Sequence, residues 1–297
     1  MTQEQFQNTM KFDAAMVEKG IHRYLDEELN NAEIGILNDA IQYAMFAGGK
    51  HLRAIVCMEM CYACGKPKEK AMAPAVSLEL IQTASCVEDD LPCMDNSPMR
   101  RGKPSLHLAY NEYIALLATN AMYGMSHQVL MRSDISHGQL LKLMNCLSDA
   151  TGLEGLVGGQ LLDLQNENKR MTAEQLIRIY EGKTTPLFVC ASEMGAIMGG
   201  ANASKMQAAH DYGSNLGTAF QIIDDILDVT QSSEIMMKPT GLDAENDKQT
   251  LPSIMGLEAS KQLAHDYTEK AIAALAPFGA KAFFLKELAR YMENRIY

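Results

Sequence analysis

The sequence of 297 residues contains no tryptophan, few aromatic residues (6%) and only nine prolines. It has no uncharged apolar run near the roughly 18 residues that suggest a membrane-spanning helix. Its start, MTQEQFQNTMKFD, lacks the basic and then apolar segments of a signal peptide. Basic residues are also scarce, because 26 Lys and Arg face 37 Asp and Glu, a formal charge of −11. This balance argues against a nucleic-acid binder, since phosphate contacts need a basic patch.

The seven cysteines are odd in number and irregularly spaced. This usage favours a reducing compartment, and we expect a cytoplasmic protein. Cys57, Cys61 and Cys64 spell CxxxCxxC, a spacing also found in the iron–sulfur motif of radical enzymes that use S-adenosylmethionine. The stretch LRAIVCMEMCYAC, however, reads as one helix that carries all three on one face. Ordinary helical cysteines are therefore the favoured interpretation.

The residues that are present favour helix. Met, Ala, Leu and Glu dominate, and apolar residues recur at intervals of three and four, as in Leu52, Ile55 and Val56. With 47% hydrophobic and 21% charged residues, the chain has the composition of a globular protein. Gly and Pro mark breaks between helices, but no polar linker divides the chain. The sequence predicts an all-α fold in a single domain spanning residues 1–297.

The motif DDILD ends a long predicted helix that starts near Ser204. At about 100° per residue, Asp224 and Asp228 lie about 40° apart on one helical face, with Asp225 to the side. Their neighbours are apolar, and clustered carboxylates in such surroundings repel one another. Hard oxygen ligands suit Mg²⁺, which usually also takes phosphate oxygens. A solvated acidic helix end is the alternative.

A second motif, DDLPCMD, contributes three carboxylates: Asp89, Asp90 and Asp95. It ends a predicted helix that begins near Glu69. Pro92 cannot continue a regular helix, so a bend there could bring Asp95 back beside Asp89. Arg100 and Arg101 follow closely, and carboxylates that hold metal beside guanidinium groups form a diphosphate site. The alternative is a local salt-bridged loop.

Taken together, the two motifs are much more specific than either alone. The chain resembles the trans-isoprenyl diphosphate synthases of the farnesyl and geranylgeranyl diphosphate synthase type, and the resemblance covers nearly its whole length. The segments that carry it are GGKHLR (48–53), EDDLPCMDNSPMRRGKPS (88–105), GGQLLDL (158–164), GKTTPL (182–187), FQIIDDILDV (220–229) and KPTGLDAENDKQTLP (238–252).

This resemblance implies a fold, an activity and a partner. The fold would be an isoprenoid synthase bundle of roughly ten or more mostly antiparallel helices around a deep apolar central cavity. The activity would be head-to-tail condensation of isopentenyl diphosphate with a C5, C10 or C15 allylic diphosphate, giving a short all-trans prenyl diphosphate. The chain would form a homodimer.

The resemblance also assigns roles to residues. Three Mg²⁺ ions would be held by Asp89 and Asp95 (two ions) and Asp224 (the third), with support from Asp90, Asp225 and Asp228. The allylic diphosphate would contact Arg100, Lys183 and Lys238. Isopentenyl diphosphate would contact Lys50, Arg53 and Arg101. Thr184 and Gln221 would face the developing allylic cation, so Lys183, Thr184 and Gln221 are the expected catalytic residues.

The sequence departs from the usual family pattern at several positions. Gln82 and Glu88 stand where histidines are usual, and His51 stands where arginine is usual. Gln82 can still donate a hydrogen bond to isopentenyl diphosphate but cannot become cationic, which predicts weaker binding. Ala84 and Ser85 lie where bulky aromatics would stop chain growth, so a C20 product is expected, with C15 second.

Two other functions are compatible with parts of this pattern. A class I terpene cyclase ionises similar substrates, but its second metal motif normally reads N/D-D-x-x-S/T-x-x-x-E. Here DDILD is followed by Val229 and Thr230, which favours elongation. A non-catalytic partner subunit of a related synthase typically loses one acidic motif, whereas both are intact here.

Overall fold

The computed structural model describes residues 2–167, 169–230 and 249–295. Nearly all regular structure in these ranges is helical, so the predicted all-α fold is confirmed. The chain divides into two compact units. The N-terminal unit contains residues 2–55 and 72–140, and the C-terminal unit contains residues 56–71 and the described residues from 141 to 295. A single domain with a central cavity stays a prediction.

The N-terminal unit contains most of the helices before residue 140 and one short hairpin. Its elements are α1 (Gln3–Glu28), α2 (Gly35–Met45), the start of α3 (Leu52–Cys64), α4 (Met72–Asp89), β1 (Met99–Arg100), β2 (Lys103–Pro104), α5 (Leu106–Ala109), α6 (Glu112–Met131) and the start of α7 (His137–Thr151). The strands pair antiparallel, Met99 with Pro104 and Arg100 with Lys103.

Helix α4 is the core of this unit. It carries apolar residues around most of its circumference, and Leu78, Leu80 and Ile81 are completely buried. A helix that is apolar on most sides is stable only when neighbours cover it, and α6 packs closely along α4. The apolar packing fixes the end of α4, where the first acidic motif begins.

The C-terminal unit contains the remaining helices. They are the rest of α3 and α7, then α8 (Leu156–Asn166), α9 (Ala173–Lys183), α10 (Thr185–Met198), α11 (Ala203–Thr230), α12 (Leu251–Met255), α13 (Leu257–Ala274) and α14 (Phe283–Glu293). Helical turns of the 3-10 type occupy Ala32–Ile34, Lys68–Ala71 and Ala276–Ala282 along the chain.

Helices α10 and α11 approach each other unusually closely, and two glycines permit it. A Cβ added at Gly213 would come within 2.7 Å of the Phe188 carbonyl oxygen. A Cβ at Gly217 would come within 2.8 Å of the Thr185 Cα. Any side chain at these positions would push the helices apart. Gln221 lies one turn beyond Gly217, so this contact brings it to the start of α10.

The predicted helix boundaries hold to within a few residues. The helix expected from Ser204 is α11, which begins at Ala203. The one expected from Glu69 begins as α-helix at Met72, because residues 68–71 form a 3-10 turn. The stretch with Cys57, Cys61 and Cys64 is the single helix α3, as predicted. Burial raises the pKa of Cys61 to about 12, so its thiol is protonated at neutral pH.

All seven cysteines are free thiols. Over the described ranges, no helix combines the length and apolar character needed to cross a bilayer.

Candidate active site

The first acidic motif folds back on itself after α4 ends at Asp89. The backbone N–H of Asp95 donates to the Asp89 carbonyl oxygen at 2.9 Å, and that of Asn96 donates to Leu91 at 3.1 Å. Asn96 has a φ of +48°, a left-handed conformation that asparagine tolerates better than most residues. The predicted return of Asp95 to Asp89 at the Pro92 bend is therefore confirmed at the backbone.

The Asp90 carboxylate forms an ion pair with the Arg100 guanidinium. The Arg100 Nε lies 3.1 Å from both Asp90 carboxylate oxygens, and its Nη2 lies 2.6 Å from Oδ1. The Asp90 side chain is 2% exposed, whereas that of Arg100 is 32% exposed. Burial alone would lower the pKa of Arg100, but the nearby Cys86, Asp90 and Asp89 raise it overall. Asp90 thus fixes a guanidinium whose outer side still reaches solvent.

Arg101 lies in the turn between β1 and β2 and contacts the two glycines that precede Lys50. It donates to the Gly48 carbonyl oxygen, and its guanidinium packs against Gly49, where a Cβ would come within 3.0 Å of Nη1. Lys103 on the same hairpin donates to the Phe46 carbonyl oxygen at 3.2 Å. The structure therefore joins the basic hairpin to the segment that carries Lys50.

Arg53 lies in the first turn of α3. Lys50, Arg53 and Arg101, expected together from the sequence, all belong to the N-terminal unit.

Gln82 lies on α4, two turns before Asp89. Its amide Nε2 donates to the Cys86 Sγ at 3.1 Å. The other departure on this helix, Glu88, accepts from the Tyr123 hydroxyl at 3.1 Å. Burial, and then the charge of Glu88, raise the pKa of Tyr123 above its usual range. Glu88 is thus paired with a neutral tyrosine.

In the second acidic motif, Asp225 is buried and is held by donors from two other elements. Its Oδ2 accepts from the Tyr180 hydroxyl on α9 and from the Leu251 N–H at the start of α12, the latter at 3.0 Å. Its Oδ1 lies 3.4 Å from the Gln221 Nε2. Neutral donors therefore stabilise this buried carboxylate.

Asp224 is paired with an arginine from the C-terminal end of the described chain. Arg295 donates to the Asp224 carboxylate, and its guanidinium lies 4.1 Å from the centroid of the Phe220 ring. The Arg295 side chain is 6% exposed. Asp228 lies one turn further along α11 and is partly exposed.

The expected catalytic residues meet where α9 passes into α10. The Thr184 Oγ1 donates to the Gln221 Oε1 at 2.7 Å. Lys183 Nζ lies 2.7 Å from the Asp163 Oδ2 on α8. A chain of hydrogen bonds thus runs from Thr184 through Gln221 to Asp225. Lys238, the remaining expected ligand, lies outside the described residues.

Three residues of these clusters were not predicted from the sequence: Asp163, Tyr180 and Arg295. Asp163 lies inside the GGQLLDL motif, so its position was a usable signal. Tyr180 lies one turn before Thr184, on the helix that presents Lys183. Arg295 is 71 residues from Asp224 and carries no local signal.

Comparison with known proteins identifies the family. A family model described as polyprenyl synthetase matches residues 34–276. The chloroplastic geranylgeranyl pyrophosphate synthase of Capsicum annuum is 35% identical over 297 residues, covering 98% of this chain and 80% of that protein. The chain belongs to the polyprenyl synthetase family. The predicted family and short-chain trans-prenyltransferase function are confirmed.

Two solved structures of this family are similar over almost the whole chain. An apo FPP/GFPP synthase from Zymomonas mobilis has a TM-score of 0.86 and 30% identity, covering 97% of this chain and 99% of that one. A geranyltransferase from Helicobacter pylori, complexed with magnesium and isoprenyl diphosphate, has a TM-score of 0.81 and 28% identity, covering 94% and 96%.

The donor chemistry of these side chains fits the magnesium on which the family depends. Within the described ranges, no three His, Cys, Asp or Glu side chains form a ready-made metal cage. Mg²⁺ is usually bound by one or two carboxylates together with substrate phosphates, rather than by a dedicated all-protein cage. Carboxylates such as Asp89 and Asp95, joined by one turn, match that requirement.

Proposed function

We propose that this enzyme condenses isopentenyl diphosphate with an allylic diphosphate, head to tail, into a short all-trans prenyl diphosphate. The observation that carries this proposal is the fold of the first acidic motif. It places Asp95 on the turn that ends α4 at Asp89, while Asp90 holds Arg100 at its side. Carboxylates and a fixed guanidinium in one short segment suit a metal-bound diphosphate.

Three Mg²⁺ ions complete the proposed site. Asp89 and Asp95 would hold two ions and Asp224 the third, and Asp228 would support the last through its bound water. When bound, the ions neutralise the charge that builds up on a departing diphosphate. Asp90 and Asp225 act indirectly, because their oxygens bind Arg100 and Tyr180.

The basic residues divide between the two substrates. Arg100, Lys183 and Lys238 would bind the allylic diphosphate, and Lys50, Arg53, Arg101 and Gln82 would bind isopentenyl diphosphate. The hydrogen bond from Lys183 to Asp163 supports the proposed role of Lys183, because Asp163 holds the flexible ammonium group in one place. The contact of Arg101 with Gly48 holds the segment before Lys50 in the same way.

Thr184 and Gln221 are suited to stabilise a carbocation. When the allylic C–O bond breaks, its electron pair leaves with the diphosphate and C1 becomes positive. The Thr184 hydroxyl is already donating to Gln221, so its oxygen lone pairs remain to face positive charge. The Gln221 amide is oriented by Asp225, which keeps the amide oxygen directed at Thr184.

The remaining steps need no further nucleophile from the protein. The double bond of isopentenyl diphosphate attacks C1, and a proton leaves the resulting cation. We assign the departing diphosphate as the base. Apolar surroundings must exclude water during these steps, because water would capture the cation.

A product assay tests the proposal. Purified protein is given isopentenyl diphosphate with a C5, C10 or C15 primer, with and without Mg²⁺, and products are separated by chain length. Magnesium-dependent C20 product is expected. Cyclised hydrocarbon would instead indicate a terpene cyclase. Absence of condensation with every primer would indicate a non-catalytic partner subunit.

We attribute the expected C20 product to Ala84 and Ser85, which are small and buried on α4, one turn before the first aspartates. The Ala84→Phe variant is expected to shorten the main product to C15, because an aromatic ring fills volume that a further prenyl unit needs. Ala259→Phe, at an exposed position on α13, serves as the control. An unchanged product from the Ala84→Phe enzyme would refute this assignment.

We also propose a homodimer in the cytoplasm. On α6, Tyr113, Leu116 and Leu117 form an exposed apolar stripe, and Tyr113 is 64% exposed. Such stripes are typical of protein interfaces. Sedimentation of the wild type and of a Leu116→Glu variant tests the dimer, which the charge should weaken.

The proposed cytoplasmic location rests on the cysteines. Free cysteines suit a reducing compartment, and microscopy of the tagged chain tests that location.

A further inference from the structure

His51 lies in the segment proposed to bind isopentenyl diphosphate, yet its own ring is buried and 6% exposed. Its Nδ1 lies 2.7 Å from Glu79 Oε2 on α4, and its Nε2 lies 3.7 Å from Glu18 Oε1 on α1. The Glu79 side chain is as buried as the imidazole. The ring therefore stands between two carboxylates.

The two carboxylates determine which protonation state of the His51 ring fits between them. Ionised carboxylates only accept hydrogen bonds, and a neutral imidazole has one N–H donor. With Nδ1–H directed at Glu79, a neutral ring would turn the lone pair of Nε2 toward Glu18. Among the described residues, that nitrogen has no partner within hydrogen-bond distance. The imidazolium instead presents an N–H to each carboxylate and neutralises part of their charge.

The backbone at His51 has an unfavourable conformation that the side-chain contacts with Glu79 and Glu18 help to hold. His51 has a φ of +48°, and it follows Gly48 and Gly49, whose φ values are +98° and +151°. A histidine in the left-handed region is strained, and such a conformation persists only when surrounding contacts enforce it. Lys50 precedes His51 directly, and Arg53 follows two residues later.

We propose that His51, as an imidazolium held by Glu79 and Glu18, is a positioning residue that presents Lys50 and Arg53 to isopentenyl diphosphate and makes that binding sensitive to pH. The proposal rests on the function proposed above. The ring touches neither substrate in this account. It acts by holding the 48–53 turn in its strained conformation against α1 and α4.

The sign of the pH effect follows from the groups around the ring. Burial lowers the pKa of His51, Glu79 and Glu18 raise it, and Arg101 lowers it, with a net rise above the ordinary value of about 6.5. The pairing of charged His51 with the two glutamates therefore stabilises the 48–53 turn fully below about pH 6.5. It is lost as the pH rises through the raised pKa of the folded protein.

Three variants test this positioning role. His51→Arg keeps a permanent charge between the two glutamates, and His51→Gln removes the charge. His265→Gln is the matched control, because His265 also pairs with a carboxylate, Glu293 at 2.9 Å, but this pair lies at the surface of the C-terminal unit. For each enzyme, the KM values for isopentenyl diphosphate and for the allylic primer are measured from about pH 6.5 to 9.5.

For wild type and His265→Gln, the KM for isopentenyl diphosphate should rise about fivefold more than for His51→Arg over this range. His51→Gln should show the raised KM at every pH, and the KM for the allylic primer should change less than twofold between variants. Equal pH profiles for the wild type and His51→Arg would overturn the proposal, as would a parallel rise in both KM values.

A binding measurement separates this proposal from the proposed function. Calorimetric titration with isopentenyl diphosphate alone needs no turnover. If no condensation occurs but binding weakens with pH in the wild type and not in His51→Arg, only the proposed function fails. If condensation occurs and binding is equally pH-dependent in both, only the role of His51 fails.

Discussion

The two acidic motifs stabilise their buried aspartates in different ways. In the first, Asp90 is neutralised by the guanidinium of Arg100, a full positive charge ten residues away in the chain. In the second, two neutral groups donate to Asp225, the Tyr180 hydroxyl and the Leu251 N–H. The cationic partner in that motif, Arg295, contacts Asp224 instead.

This difference indicates that the two motifs depend on different sources of positive charge. The first carries its own cations, so its carboxylates and guanidinium groups form one nearly neutral platform for a diphosphate. The second places Asp224, Asp225 and Asp228 close together on α11. The Tyr180 hydroxyl and the Leu251 N–H that donate to Asp225 carry no positive charge. We therefore expect the second motif to depend more on added cations, and the first to depend more on the ion pair within it.

The largest difference should appear in stability. Asp90→Asn leaves the Arg100 guanidinium without its counter-charge, and we expect a loss of about 2 kcal/mol in the free energy of unfolding. Asp225→Asn should cost only about 1 kcal/mol, because Tyr180 and Leu251 both donate to one oxygen that an asparagine retains. Urea unfolding without magnesium measures both. A greater loss in Asp225→Asn than in Asp90→Asn would contradict the comparison.

A smaller effect is expected at Arg295. Its positive charge on Asp224 opposes the binding of a cation there, so Arg295→Ala should bind Mg²⁺ about fivefold more tightly. Calorimetric titration with Mg²⁺ in the presence of inorganic pyrophosphate measures this. Arg290→Ala is the control, since Arg290 pairs with Glu287 on the exposed side of α14. Weaker or unchanged Mg²⁺ binding in Arg295→Ala would show that the pair does not compete with metal.

The smallest effect is expected at Gln82, in the N-terminal unit. Gln82→His restores a group that can carry a positive charge, so the KM for isopentenyl diphosphate should fall about threefold near pH 6.5. The neighbouring Thr83→Ser variant controls for disturbance of α4. A Michaelis constant that stays at the wild-type value would mean that Gln82 does not contact this substrate.

Local rules predicted much of this molecule. The composition and the three-and-four spacing predicted helices, and α11 begins within one residue of the expected position. Pro92 predicted the bend that returns Asp95 to Asp89, because proline cannot continue a helix. These features depend on residues close together in sequence.

Contacts between distant segments were not predicted. Tyr180 and Leu251, which donate to Asp225, lie 45 and 26 residues from it. Arg295 lies 71 residues from Asp224, and Glu79 lies 28 residues from His51. The spacing of charges along a chain does not tell which pairs the packing of helices will bring together. The motifs therefore indicated which residues matter, whereas their hydrogen-bond partners required the structure.

One measurement tests most directly the claim that both acidic motifs serve one magnesium-dependent condensation. Asp89→Asn and Asp224→Asn are each compared with the wild type for kcat in the product assay and for thermal stability. We expect kcat to fall by about 10³-fold in each variant, with melting temperatures within a few degrees of wild type. Near-normal kcat in either variant, with the fold intact, would contradict the account.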